Sequence, residues 1–207
     1  MKLNESQMDV LKEIGNIGAG NAATSLSHML SKRIEMNVPE VSLLDYNEII
    51  DSIGGAENIV VGVLIGFEGD IDGVILFLLK KEFVHIILNS LLGTELNNFE
   101  EVSEMEMSAL SEISNIMVSS YVNSISSLTS MNINVTVPSL NIDMSGALLD
   151  AVTAEFSEIA DKAVFIKEKY YCLNETVYSY MLLLPRMPSL KILLNKFGIY
   201  IWEQVLL

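Results

Sequence analysis

The chain has 207 residues, half of them hydrophobic and 19% charged, a globular composition that excludes a disordered chain. Its net charge of −15, with 27 acidic against 12 basic residues, repels nucleic acid and anionic membrane surfaces, whose binding needs Lys and Arg to neutralise phosphates. A single cysteine, Cys172, excludes an intramolecular disulfide.

The elements read in chain order repeat themselves. A long helical pattern covers about residues 5 to 30. An extended, alternating piece follows, IEMNVPEVSLL, broken by a proline that suits an edge strand or a bulge. A short helix is expected at about 46 to 53, then a hairpin of 58 to 67 with 72 to 79 turning at GDIDG, then a helix at 81 to 91. The same order recurs as a helix at 103 to 128, INVTVPSLNI, a helix at 143 to 158, a hairpin of 163 to 172 with 176 to 184 turning at LNET, and a helix at 188 to 196. Shifted by 99 residues, Glu13 falls on Glu112, Asn16 on Asn115, Ile34 on Ile133 and Pro39 on Pro138; near the end of each copy the shift becomes 105. The expected fold is therefore α+β: one domain, 1–207, built of two half-repeats (about 1–98 and 99–207) with pseudo-two-fold symmetry, its two long exposed helices packed on a largely antiparallel sheet.

The first long helix carries Gly15, Gly18 and Gly20. A dinucleotide loop needs G-x-G-x-x-G after a strand, whereas here the order is G-x-x-G-x-G inside a helical pattern. The second copy has Ser114, Met117 and Ser119 at these positions, so the glycines are not the chemistry that both halves retain. At about 100° per residue, Asp9, Glu13 and Asn16 share one narrow polar face with Gly20, and Val10, Leu11, Ile14 and Ile17 form the apolar face. Ser108, Glu112 and Asn115 repeat the polar face, with Ser119 in place of Gly20, and Ala109, Leu110, Ile113 and Ile116 the apolar one. Gly20 reads as clearance for another surface, and Gly15 and Gly18 as points of close packing. An amide next to a carboxylate can aim a water at phosphorus, the role a glutamine takes in GTPases, but it supplies neither metal nor nucleophile. The pair makes sense if the substrate brings its own Mg²⁺ and labile phosphate.

These residues resemble a known family. LKEIGNIGAGNAATSLS and LSEISNIMVSSYVNSIS look like the CheC family of chemotaxis phosphatases, related to CheX and to the phosphatase part of FliY. The family pattern of Asp or Ser, Glu, Asn and a later Pro is met by Asp9, Glu13, Asn16 and Pro39, and again by Ser108, Glu112, Asn115 and Pro138. The resemblance implies hydrolysis of the aspartyl-phosphate of the response regulator CheY. Asn16 and Asn115 would orient the water and Glu13 and Glu112 would engage the regulator's lysine. No cofactor of the chain's own is implied, the Mg²⁺ belonging to CheY. It also implies a contact with the receptor deamidase CheD around Asp143, Ala147, Leu148, Asp150 and Ala151.

The alternative is a non-catalytic adaptor that binds CheD or joins the flagellar switch. His28 and His85 offer no metal-ligand spacing with Cys172, and all three read as ordinary helix or strand residues. MKLNESQMDV has no apolar signal-peptide core, and residues 59 to 79 are broken by Glu68, Asp70 and Asp72. A cytoplasmic protein without membrane insertion is expected. The tail IYIWEQVLL reads as packing on its own domain, with contact to a partner as the alternative.

Overall fold

The computed structural model describes residues 4–155, 162–172 and 175–196. Helix α1 spans Glu5–Leu30, strands β1 and β2 span Ile34–Met36 and Glu40–Leu44, and α2 spans Tyr46–Ile53. Strands β3 (Ile59–Gly69) and β4 (Gly73–Leu79) form a hairpin that runs into α3 (Lys81–Leu92). The second half repeats this with α4 (Glu104–Thr129), β5 (Ile133–Val135), β6 (Ser139–Met144), α5 (Ser145–Glu155), β7 (Ala163–Cys172), β8 (Glu175–Pro185) and α6 (Met187–Lys196). Both long helices start at a capping box, Asn4 with Gln7 and Ser103 with Glu106, each satisfying two backbone N–H groups that a helix start leaves bare. Backbone and side-chain hydrogen bonds from Ser103 hold the Glu106 carboxyl below the usual carboxylate range.

The expected elements form, with two differences in detail. A 3₁₀ turn at Phe99–Glu101, which no periodicity marks, joins the halves. The short helix expected from residue 143 begins at Ser145, because antiparallel pairing of β6 with β3 continues through Val60 with Asp143 and Ile59 with Met144. Asp143 is therefore a strand residue. The end of that helix at 156–158, the LNET turn at 173–174 and the tail 199–207 lie outside the described residues.

The halves are not laid side by side; they exchange strands. The sheet order is β1-β7-β8-β4-β3-β5, with β2 continuing along β7 and β6 along β3, every pairing antiparallel. Thus β1 and β2 of the first half pair with β7 of the second, as in Ile34 opposite Cys172, and β5 and β6 pair with β3 of the first, as in Ile133 opposite Gly69. At the centre, Leu76 pairs with Leu182 and Phe77 with Met181. A shift of 105 residues converts one pair into the other, so the pseudo-two-fold axis passes between them. Neither half could complete its sheet alone.

Strand alternation sends Val61, Val63, Ile65, Ile75, Phe77, Val164, Ile166 and Met181 to one face, under α1, α4 and α3. Val60, Leu76, Leu78, Phe165, Tyr180 and Leu182 go to the other, under α2 and α5. On the first face α1 and α4 pack antiparallel. The Asn21 amide donates to Ser124 Oγ at 3.1 Å, and Ser25 Oγ lies 3.5 Å from Ser120 Oγ. These two contacts are also interchanged by the 99-residue shift. A side chain on Gly18 would penetrate the ring of Tyr121, which is wholly buried. A Cβ on Gly15 would stand 2.8 Å from a Val41 methyl.

Beneath this crossing lies a buried carboxylate. Glu168 on β7 is fully enclosed and accepts hydrogen bonds from the Tyr121 and Ser179 hydroxyls. The Tyr170 hydroxyl, buried beside it, lies outside hydrogen-bonding geometry. Burial raises the Glu168 pKa above its ordinary value of 4.5, against the opposing pull of its donors.

Two expectations follow for stability. Gly18→Ala should lower it by about 2 kcal/mol or more in urea titration, since a close-packed core resists overpacking. A raised folded-state pKa means that the native state holds a proton the unfolded chain releases. The contribution of Glu168 is thus fully present below about 4.5 and is lost as pH rises through the folded-state pKa. Glu168→Gln should remove that part of the pH slope and be at least as stable as the parent at pH 8, as seen in denaturant midpoints from pH 5 to 8.

Candidate functional site

Each Glu-Asn pair stands on the outer face of a long helix, on the same side of the sheet. Glu13 and Asn16 are exposed on α1; Glu112 is exposed and Asn115 half-buried on α4. Their positions follow from amphipathic folding. Leu11 and Ile14 are buried in the first helix and Leu110 and Ile113 in the second, while Val10, Ile17, Ala109 and Ile116 are half-buried at the margins of those apolar faces. A residue three positions on from each glutamate then projects next to it, one turn away. None of the four side chains forms a hydrogen bond or ion pair with another described residue. Asp9, one turn before Glu13, pairs with Lys12 at 3.2 Å in an exposed i,i+3 contact. Ser108, its counterpart, is exposed.

The helix crossing fixes the relation between the two pairs. The contacts between Asn21 and Ser124 and between Ser25 and Ser120 place the symmetry axis near Ala23 and Val122. Asn16 and Asn115 each precede that point by seven residues, on helices that run in opposite directions. At 1.5 Å of rise per residue they are about 21 Å apart along the helix layer. The structure therefore joins each glutamate to its own asparagine and keeps the two pairs apart.

The glycines divide as expected. Gly15 and Gly18 are buried contact points, against β2 and Tyr121, whereas a Cβ on Gly20 would meet nothing within 4 Å. Gly20 thus leaves open ground one turn beyond Asn16. Pro39 is buried and Pro138 half-buried at the starts of β2 and β6, and Val41, two residues after Pro39, packs beneath Gly15. The strand that follows the proline supports the helical turn that carries Asn16.

The residues expected to meet a second partner lie on the opposite face of the sheet. Ala147 and Leu148 are half-buried on α5, Asp150 and Ala151 are exposed on it, and Asp143 is exposed at the end of β6. Leu148 packs over the bare backbone of Gly62, where a Cβ would come within 2.6 Å of its methyl. Asp150 accepts a 2.9 Å hydrogen bond from the Tyr46 hydroxyl of α2. Partial burial, and then the Asp150 carboxylate, raise the Tyr46 pKa. His28 is exposed near the end of α1, His85 accepts a hydrogen bond from the Leu96 N–H at 3.2 Å, and Cys172 is buried on β7, where burial raises its thiol pKa. No described helix is long and apolar enough to cross a membrane.

Sequence reasoning did not single out Tyr121, Glu168 and Ser179. Strand alternation held the signal: Val164, Ile166, Tyr170 and Cys172 point to the core, and Glu168 has the same parity.

Removing clearance at Gly20 should separate stability from use of this face. Gly20→Ala should stabilise the fold by up to roughly 1 kcal/mol in thermal or urea unfolding, as expected for an unobstructed mid-helix glycine.

The CheC-like family model matches residues 7–43 and 105–142, which begin at α1 and α4 and end in β2 and β6. CheY-P phosphatase CheC of Bacillus subtilis is 30% identical over 200 residues, 95% of this chain and 96% of its own length. The flagellar motor switch phosphatase FliY of the same organism is 26% identical over 141 residues, 68% of this chain and 36% of that protein. Among solved structures, Thermotoga maritima FliY superposes with a TM-score of 0.76 at 25% identity, covering 96% of this chain and 98% of the other. The Helicobacter pylori FliM middle domain shares the fold, with a TM-score of 0.68 at 13% identity over 94% and 99%. With two motif-bearing helices at the two matched segments and a relative aligned from end to end, the chain belongs to the CheC-like family.

Proposed function

We propose that this protein hydrolyses the aspartyl-phosphate of the response regulator CheY, at two equivalent Glu-Asn sites on one cytoplasmic domain made of two halves. The observation that carries this reading is the repetition of one Glu-Asn pair, Glu13 with Asn16, both exposed, and exposed Glu112 with half-buried Asn115, at symmetry-related positions on two surface helices. The names of the relatives support the substrate: CheC of Bacillus subtilis is a CheY-P phosphatase, and FliY is a motor switch phosphatase.

Exposure suits a protein substrate. A phosphoryl group held in another protein's active site can be reached only by side chains that project from a convex surface, and a helix ridge provides one. In this reading the asparagine amide fixes a water in line with the phosphorus–oxygen bond. The water oxygen attacks phosphorus, the bond to the aspartyl oxygen breaks, and inorganic phosphate leaves beside a free carboxylate. The glutamate grips the regulator's active-site lysine and sets the amide's approach. Mg²⁺ belongs to the regulator and screens the developing charge there. No residue of this chain needs to titrate in the step. CheD would dock on the α5 face, away from the phosphatase helices.

The test is the decay of phosphorylated CheY with Mg²⁺, with and without catalytic amounts of the protein. Asn16→Ala combined with Asn115→Ala should leave the melting temperature unchanged and reduce the acceleration at least tenfold, about 1.4 kcal/mol of barrier or more. Full activity in the double variant would overturn the assignment of the amides. Decay unaffected by the wild-type protein, alone and with CheD, would favour the adaptor.

A further inference from the structure

The two Glu-Asn pairs match, but the residues that flank them do not. Lys12 is the only lysine or arginine on either long helix, and its counterpart on α4, 99 positions on, is Ser111. Asp9 changes to serine in step, as Ser108. In the first half these two residues form an ion pair, with Lys12 Nζ 3.2 Å from Asp9 Oδ1. Glutamate and asparagine are thus kept in both halves, while one pair of opposite charges is present in the first and absent as a unit from the second.

Helical spacing sets Lys12 beside the Asn16 amide. At about 100° per residue, Lys12 lies roughly 40° from Asn16 around the α1 axis, and Glu13 lies roughly 60° from it on the other side. The β-carbons of residues four apart on a helix are about 5 to 6 Å from each other. Helical side chains tilt towards the N-terminus, so Asn16 leans over the turn that carries Lys12 and Glu13. Asn16 therefore stands between a cation and a carboxylate. Asn115 stands between Glu112 and the half-buried Ser111.

The pair with Asp9 does not hold the ammonium tightly. The Lys12 and Asp9 side chains are 56% and 71% exposed, and an exposed i,i+3 ion pair adds little to stability. The start of α1 is already secured by its capping box. An ammonium on a flexible four-carbon stem readily exchanges one carboxylate for a stronger charge. An aspartyl-phosphate is such a charge, since a phosphoryl group is more negative than a carboxylate and spreads that charge over three equatorial oxygens during transfer. It must also approach a chain of net charge −15, whose field opposes it. Lys12 is a positive group at the point of contact.

We propose that Lys12 is a charge-stabilising residue of the first site. When the phosphorylated regulator docks, the ammonium leaves Asp9 and pairs with the phosphoryl oxygens. There it opposes the field of the acidic chain and steadies the charge that develops as the phosphorus–oxygen bond breaks. The second pair works without such a cation. The inference rests on the phosphatase reading above and divides its two sites electrostatically, the first depending on ionic strength more than the second.

Single-site variants test it, with purified CheY kept phosphorylated by a small-molecule phosphodonor. Asn115→Ala leaves the first pair intact, and Asn16→Ala the second. Between about 50 and 300 mM salt, kcat/KM should fall roughly threefold more in the Asn115→Ala variant than in the Asn16→Ala variant, because salt screens the attraction of Lys12. Lys12→Gln added to Asn115→Ala should lower kcat/KM at low salt by roughly fivefold, remove the extra salt dependence and leave the melting temperature unchanged. Lys12→Arg in the same background should keep at least about half the activity, since the charge remains. An unchanged kcat/KM in the glutamine variant overturns the proposal. So does a loss that persists in full at high salt, or an equal loss in the arginine variant. An inactive Asn115→Ala protein overturns it too, because the first pair would then be inert alone. No acceleration by the wild type sinks the phosphatase reading and the role of Lys12 with it; an active wild type with an indifferent Lys12→Gln sinks the role of Lys12 alone.

Discussion

The ring of Tyr121 occupies the space that a side chain at residue 18 would fill, and the rest of the architecture depends on that contact. Because Gly18 presents only backbone, α1 and α4 approach closely enough for Asn21 to reach Ser124 and Ser25 to approach Ser120. The phenol then passes between the helices and the sheet, and its hydroxyl meets Glu168 on β7. One side chain thereby connects both helices to a strand of the second half. The two-fold explains why the glycine has no copy. The counterparts of Gly18 and Tyr121 are Met117 and Ala22, both fully buried. One crossing position combines a glycine with a tyrosine and the other an alanine with a methionine, so small faces large on each side and the total volume is conserved.

The buried carboxylate belongs to the same joint. A lone carboxylate away from water is costly, and two hydroxyl donors lower that cost without removing it. The raised pKa of Glu168 is the signature of the remaining penalty. Its benefit is geometric. The Tyr121 hydroxyl must find an acceptor once buried, and Glu168 supplies one at a single place on the sheet. Register between the helix layer and the strands is thus fixed by a polar contact, while apolar packing, which is less directional, supplies the bulk of the stability.

Much of this was legible in the amino-acid sequence, and the missing parts have a common cause. Helical periodicity located α1 and α4 and put Glu13 and Asn16 on a polar face, because exposure on a helix depends on local spacing alone. The shift of 99 exposed the duplication. It could not reveal that β1 and β2 pair with β7 while β5 and β6 pair with β3, since a repeat looks the same whether its strands stay home or cross over. The same blindness to long-range pairing assigned Asp143 to a helix. SLNIDMSGALLD can be read as strand or helix near its middle, and only the facing residues of β3 decide where pairing stops. The exposure of Val38 and Val137 was hidden for the same reason, as an apolar residue in an alternating run reads as core until its neighbours are known.

The crossing also determines what duplication can do here. Each asparagine precedes the symmetry axis by seven residues on antiparallel helices, so the two Glu-Asn pairs face the same side of the molecule about 21 Å apart. A phosphoryl group is only a few ångströms across and cannot be shared between them. The second pair therefore does not complete the first, unlike the paired groups of a cleft formed between two halves. A globular domain of about 100 residues has a radius of gyration near 13 Å, so two partners centred on sites this close would touch each other. Their approach directions decide whether both sites can be occupied at once. The pseudo-two-fold turns one approach into the other, so partners that lean away from the axis fit together and partners that lean towards it exclude one another.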